Sequence, residues 1–419
     1  MLHKSKKRII AAVLTAAAAE AVAVWSAQSE GFHLAVFIIQ TILAAGAGIL
    51  ICLDIHPGKN IQKFFLFAAS TAAFYGLESF THNPLDMELS PQLMNLLIFW
   101  AFYGLLFFLL GNIRRAVITG SILTAVIGIA NHYTLEFRDN PILPWDLKSF
   151  STALSVTDNF TYTVPAAMVF TLFLFLYLCI LAEKATLQAP SLKKRACAAV
   201  LSLCFLFGMK TAMCTTAITD RVLTFSNLFT QWATYRDNGF VVSFLQNTKY
   251  LDISEPDGYS AELVAYEAQR QKEISVASGE NSETSGLSGT GSQTVSGDRP
   301  NVIVIMNEAF SDLSVLHDFE TSEDYMPFIH SLQENGENTV TGNLYVSVVG
   351  GNTANTEFEF LTGDSLAFLP SGSVAYQQYI SEELPSLADL MTALDYRSIA
   401  IHPYLASGWN RDEVYPLLG

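Results

Sequence analysis

The chain has 419 residues, of which 51% are hydrophobic and only 15% charged, with a formal net charge of −16. It is too long and too apolar for one soluble domain, and its charge is divided: residues 1–217 carry 15 Lys/Arg against 11 Asp/Glu, the remainder 8 against 28. An acidic second part argues against nucleic acid as a partner, because such a surface must neutralise phosphate charge.

In chain order, the first elements are membrane spans. Crossing a bilayer core of about 30 Å at about 1.5 Å per residue takes about 20 mostly apolar residues. Seven stretches qualify, at 9–28, 33–53, 64–80, 94–113, 116–135, 163–183 and 197–218. The third carries Glu78 and the seventh Lys210, so five spans stand as the alternative. Residues 1–28 have the basic start of a leader peptide, but Glu20 interrupts the apolar run and six further spans follow, which favours a retained span. Short loops rich in Lys/Arg stay cytoplasmic. Lys4, Lys6, Lys7 and Arg8 therefore place the N-terminus inside, and Lys59, Lys63, Arg114, Arg115, Lys184, Lys193, Lys194 and Arg195 fall in the other inner loops. The short outer loops at 29–32 and 81–93 carry none, whereas the longer 136–162 loop breaks the pattern with Arg138 and Lys148. Seven crossings put the C-terminal part outside. Glu20, Glu78 and Lys210 are costly against lipid and read either as functional groups or as helix-end residues that snorkel. All five cysteines lie in the apolar half, where they read as small fillers.

Residues 219–274 form a juxtamembrane stretch ending in a polar helix near 260–274, and 275–298 is a Ser/Gly/Thr-rich tether. A new domain opens at residue 299. NVIVIMNE (301–308), TVTGNLYVSVV (339–349) and YRSIAIHPY (396–404) are predicted strands, with helices predicted at 324–335, 354–362 and 384–395. Strands alternating with helices imply an α/β layered domain with a mostly parallel sheet, and ligands of such sheets bind beyond the carboxyl ends of the strands.

Chemically capable groups stand at three of those ends. Glu308 could ligate a hard cation, or be a solvated rim residue. Thr353 follows Gly350 and Gly351 and opens a helix, whose free N–H groups favour an anion such as phosphate. Its hydroxyl reads equally as a nucleophile toward a phosphoryl group and as a plain helix cap. His402 ends the third strand, and Trp409 and Arg411 follow. An Arg fork matches phosphate and an indole can wall a small polyol, although a Trp/Arg surface pair reads as well.

Taken together, RPNVIVIMNEAFSDL, YVSVVGGNTANTEFEFLTG and HPYLASGWNRDEVYPLLG resemble the lipoteichoic acid synthase family of bacterial phosphoglycerol transferases, within the alkaline-phosphatase and sulfatase superfamily. The likeness is close over 299–419, and the outer-loop segment RDNPILPWDL resembles the family too. It implies a polytopic helical membrane domain followed by an alkaline-phosphatase/sulfatase-like α/β domain outside the bacterial cell membrane. By the same resemblance Glu308 is a ligand of Mn²⁺ or Mg²⁺, Thr353 is both nucleophile and metal ligand, and His402, Trp409 and Arg411 hold glycerol phosphate. The resemblance further implies phosphatidylglycerol as donor and a glycerol-phosphate polymer or a glycan as acceptor.

The chain departs from the family at Tyr404, where some members carry an acidic substrate contact. The family's downstream Asp-His metal pair and substrate His are not reached before Gly419, so a fragment that binds metal poorly and is inactive as given is expected. A formylglycine sulfatase is disfavoured, because no Cys follows Cys214 and no matching Ser motif appears. Phosphoethanolamine transfer, phosphodiester hydrolysis and a non-catalytic binding role are the remaining alternatives.

Overall fold

A long apolar segment in lipid satisfies its backbone polar groups internally only as a helix, and the first half of the chain is built that way. The computed structural model describes residues 6–29, 31–138, 140–147, 162–224, 231–251, 258, 260, 262–267, 269–270, 300–307, 310–317, 320–342, 344–348, 353–369, 372–403, 406 and 408–419. Among the described residues seven α-helices come first: α1 Lys6–Ser29, α2 Leu34–Cys52, α3 Lys59–Glu78, α4 Leu89–Leu110, α5 Ile113–Arg138, α6 Ala166–Ala182 and α7 Leu192–Met213. Five of them, α1, α2, α4, α5 and α7, are long and apolar enough to cross a membrane. The chain is a multi-pass membrane protein.

Helix α6 falls short by length, having 17 residues. In α3 the buried face is made of small and polar residues, Ala69, Ser70, Ala73 and Gly76 among them. Such residues lower its hydropathy but let neighbouring helices approach closely. A methyl group added at Gly76 would meet the Phe175 ring of α6 at 2.9 Å.

The two ends of the bundle differ in chemistry. At one end Arg8 pairs with Asp54 at 3.2 Å and Arg114 with Glu183 at 2.9 Å. Lys184 donates to the carbonyls of Ile51 and Leu53, and Arg195 to those of Phe108 and Leu109. At the other end Tyr133 donates to the Thr163 carbonyl at 2.7 Å, the Val164 N–H to Ser29 at 3.1 Å and the Thr163 hydroxyl to Glu136 at 3.3 Å.

Two short helices, α8 Thr216–Val222 and α9 Gln231–Asn238, lead into α10 Phe240–Asn247. Asn95 of α4 donates to the Asn238 carbonyl at 2.7 Å and accepts from the Val242 N–H at 3.2 Å. Glu78 is buried and accepts from the Phe240 N–H at 2.9 Å, which latches α10 onto α3. Glu20 accepts from Thr41 at 2.9 Å, and Lys210 is exposed. Glu78→Leu would leave the Phe240 N–H buried without an acceptor and is expected to lower stability by about 1–3 kcal/mol. Thermal unfolding in detergent reads this, and Glu78→Gln, which keeps an acceptor, should lose less.

Residues 252–344 form a separate compact unit. Among its described residues is α11 Pro327–Asn335, started by a proline in the first turn. His330 of α11 lies between two carboxylates, Asp324 at 2.6 Å and Asp312 at 3.3 Å, and Tyr325 donates to Asp312. Desolvation opposes charging His330, but Asp324 and then Asp312 outweigh it and raise its pKa. The Tyr325 hydroxyl, followed by the Ser314 N–H, holds Asp312 well below the usual carboxylate range.

A raised histidine pKa contributes stability that is complete below the ordinary value of about 6.5 and is lost as pH rises through the folded value. A depressed carboxylate contributes stability that is present above about 3.9 and lost as pH falls through the folded value. Helix α11 is therefore most stable between those limits. Its amides should show more hydrogen-exchange protection near pH 6 than near pH 9 after correction for intrinsic rates, and His330→Gln should flatten the difference.

The remaining residues, 345–419, cluster with the membrane helices. They contain α12 Thr353–Thr362, α13 Ala375–Gln378, α14 Leu387–Ala393 and α15 Arg411–Val414. Ala354, Phe358, Leu366, Ala375, Tyr376, Val414 and Leu418 make their core. Helix α14 begins with a capping box, Ser386 accepting from the Asp389 N–H while the Asp389 carboxylate accepts from the Ser386 N–H.

The three predicted strands are not paired among the described residues. Residues 301–307, 339–342, 344–348 and 396–403 carry no strand hydrogen bonds there, and Ile305 and Ile401 are 83% and 91% exposed. A buried parallel strand needs a ladder partner on each side and helices over both faces. Composition marked these runs as suited to that setting, which the described residues do not form.

Candidate functional site

Helix α12 has the sequence TANTEFEFLT, with Ala354, Asn355 and Phe358 buried. Ala354, Phe358 and Leu361 follow the spacing of one helical face, and that face packs into the core just described. Gly363, at φ +77°, ends the helix. Thr353 is half-buried and is the first helical residue. Gly350, Gly351 and Asn352 lie outside the described residues, as do Glu308 and Tyr404.

One turn beyond Thr353, Glu357 is the centre of a buried polar cluster. Arg411 donates to its Oε2 through Nη2 at 2.9 Å and through Nε at 3.2 Å. Tyr415 donates to Oε1 at 2.5 Å and Tyr376 at 3.3 Å. The side chains of Arg411 and Glu357 are 4% and 14% exposed. Burial first, then the Glu357 carboxylate, pushes Tyr415 up to about 12 and raises Tyr376 as well. Both phenols therefore stay protonated donors at ordinary pH.

Arg411 also closes the turn that precedes it, its Nη1 donating to the Gly408 carbonyl at 3.2 Å. Trp409 and Asn410 in that turn have φ values of 61° and 58°. Asparagine tolerates the left-handed region, but a bulky tryptophan there is strained and needs its surroundings to hold it. The Arg411 bond to Gly408 and the bond from the Asp412 N–H to the Ala406 carbonyl at 3.1 Å supply that hold.

On the other side of α12, Glu359 accepts from Ser347 and from the Leu366 N–H at 2.7 Å, which fastens the segment ending at Val348 to the helix. Thr353 and Arg411 are thus joined through Glu357 of α12, and Trp409 through Arg411. His402 is exposed on its extended segment.

Residues 300–419 match the Sulfatase family. This part of the chain is a sulfatase-family domain. Two curated proteins are similar to the chain. The "Putative cyclic beta-1,2-glucan modification protein" of Rhizobium meliloti (strain 1021) is 37% identical over 202 residues, 48% of this chain and 28% of that protein. Lipoteichoic acid synthase 1 of Bacillus subtilis (strain 168) is 33% identical over 124 residues, 28% of this chain and 18% of that protein. The chain therefore matches less than a third of the length of either relative. The first similarity is longer than the sulfatase-family domain and so extends upstream of residue 300. No solved structure matches the chain significantly.

Enzymes of the sulfatase superfamily commonly use divalent metals. Among the described residues no three His, Cys, Asp or Glu side chains gather as a metal site. Near Thr353 the acid at hand is Glu357, whose oxygens are taken by Arg411 and the two tyrosines. Among the described residues these side chains do not by themselves make a site for Mn²⁺ or Mg²⁺, and Glu308 lies outside those residues.

Sequence reasoning missed Glu357, Tyr376 and Tyr415. A signal for Glu357 was present: residues 300–419 contain two arginines, Arg397 and Arg411, and no lysine. An acid inside an amphipathic helix of such a domain has few possible cationic partners. The tyrosines carried no comparable mark, because their phenols meet Glu357 only after α13 and residue 415 pack on α12.

Proposed function

We propose that the protein is a membrane-anchored transferase that moves glycerol phosphate from phosphatidylglycerol to a polymer or glycan of the bacterial cell envelope, with Thr353 as nucleophile. The observation that carries this reading is Thr353 at the start of α12, inside a sulfatase-family domain attached to a membrane-helix bundle. Helix N–H groups at that position favour phosphate oxygens.

In the first step Thr353 Oγ1 attacks phosphorus and gives up its proton. The bond from phosphorus to the diacylglycerol oxygen breaks, and diacylglycerol leaves protonated. In the second step an acceptor hydroxyl attacks the glycerophosphoryl-threonine, and the threonine oxygen recovers a proton. His402, Trp409 and Arg411 are the proposed contacts to the glycerol phosphate, and Glu308 with Thr353 the proposed ligands of Mn²⁺ or Mg²⁺.

We place the N-terminus inside, α1–α7 across the membrane and the sulfatase-family domain outside. The cationic cluster of Arg8, Arg114, Lys184 and Arg195 at one end of the bundle supports this. The tether at 275–298 lies outside the described residues.

The test is a donor assay in vesicles with head-group-labelled phosphatidylglycerol and phosphatidylethanolamine. Label from phosphatidylglycerol should reach an acceptor as diacylglycerol is released. Transfer from phosphatidylethanolamine alone, or hydrolysis with no acceptor product, would overturn the reading.

A further inference from the structure

Between α5 and α6 the chain makes a small apolar knob. Leu143 and Trp145 are 0% and 1% exposed, although they belong to a connecting segment. The knob is rigid by its own bonding: Asp146 accepts from the Leu143 N–H at 2.8 Å, the Asp146 N–H donates to the Leu143 carbonyl at 3.0 Å, and Asn131 of α5 accepts from the Ile142 N–H at 2.8 Å. Both apolar side chains are part of the core of the membrane bundle.

Gly372 of the sulfatase-family domain lies against both of them. The Trp145 indole N–H donates to the Gly372 carbonyl at 3.0 Å. Gly372 has φ +80°, and a methyl group added there would lie 2.6 Å from Leu143 Cδ1. Only a glycine meets both demands, the left-handed backbone and the close approach. The residues after Gly372 are bonded to α12: Asn355 donates to the Ser373 carbonyl at 2.6 Å and accepts from the Ala375 N–H at 3.1 Å. Asn355 is buried and stands two residues from Thr353. A continuous path of hydrogen bonds and packing thus runs from the membrane helices through Trp145, Gly372 and Asn355 to the helix that opens on Thr353.

We propose that residues 140–147 are the seat on which the membrane bundle holds the Thr353 helix, gripping it through Gly372, and that Trp145 is a positioning residue for reaction with a donor embedded in a bilayer. The activity part of this inference rests on the function proposed above; the seat itself does not. A helix free to move relative to the membrane could still meet a soluble donor by diffusion. It would meet a lipid head group less often in the right geometry, and small losses of geometry carry large losses of rate.

Hydrogen exchange of the chain in lipid nanodiscs reads the seat directly. Trp145→Phe removes the indole donor with little change in packing, and Leu143→Ala removes the contact to Gly372. Peptides covering 353–362 and 372–378 should exchange about tenfold faster in these variants, while α4 keeps its protection. Unchanged exchange at 353–378 in Trp145→Phe with α4 intact would overturn the proposal. If Leu143→Ala loosens α4 as well, exchange in Trp145→Phe alone decides between the two outcomes.

In the activity arm, KM for phosphatidylglycerol in vesicles should rise about tenfold in Trp145→Phe, while kcat and KM for a water-soluble glycerophosphodiester stay within about twofold. An equal loss on both donors would overturn the positioning role. If the unaltered protein cleaves neither donor, the transferase reading fails, and the exchange result still decides the seat.

Discussion

Thr353→Ala is expected to reduce diacylglycerol release from labelled phosphatidylglycerol by about a thousandfold or more, the scale on which loss of a covalent nucleophile acts. The substitution separates chemistry from folding. Alanine is the best helix former, and the side chains that anchor α12 in the core, Ala354, Asn355 and Phe358, are untouched. If the Thr353 hydroxyl served only the helix start, its removal would cost about 0.5–2 kcal/mol of stability and leave transfer within a few-fold. Thr353→Ser should keep part of the activity. Diacylglycerol release by Thr353→Ala at the unaltered rate would remove Thr353 as nucleophile.

Glu357→Ala is the second large effect, and it acts on stability. It leaves the Arg411 guanidinium buried without its carboxylate and deprives the Tyr376 and Tyr415 hydroxyls of their acceptor. Breaking a buried pair from one side costs about 3–5 kcal/mol. Replacing both partners with apolar residues of similar size, as in Glu357→Leu with Arg411→Met, should recover much of that loss, because no charge is then left unpaired. Denaturant unfolding of the two variants reads the difference. Equal stability of Glu357→Ala and the unaltered protein would mean that the cluster does not hold α12 and α15 together.

The same cluster bears on the substrate role of Arg411. A guanidinium has five N–H donors, and here Nε and both Nη atoms already donate to Glu357 and Gly408. Arg411 is thereby the strut that keeps Trp409 and Asn410 in their left-handed turn. Any contact it makes to glycerol phosphate uses its remaining N–H groups.

Much of this architecture was readable residue by residue. Apolar length marked the membrane helices, since hydrocarbon leaves the backbone no other way to satisfy itself. Loop cations marked the end of the bundle at which Arg8, Arg114, Lys184 and Arg195 meet. The alternation of NVIVIMNE, YVSVV and the helices between them, with the motif around Thr353, pointed to the sulfatase-family domain. Each of these signals is local: a run, a period or a short motif holds it entirely.

Other features could not be read that way because their meaning lies in a partner distant in the chain. Glu78 looked like a costly intramembrane charge until α10 brought the Phe240 N–H to it, 162 residues on. Arg411 carries no local mark of its bond to Glu357, 54 residues away in the chain. Trp145 and Gly372 are 227 residues apart and carry no common pattern. The order of the apolar helices and of the helix that opens on Thr353 was determined by the sequence alone, through hydrophobicity and backbone preference. Which polar groups satisfy one another, and which glycine lies against the membrane bundle, was decided only by tertiary packing, because a buried hydrogen bond depends on where its partner comes to rest and not on what flanks it in the chain.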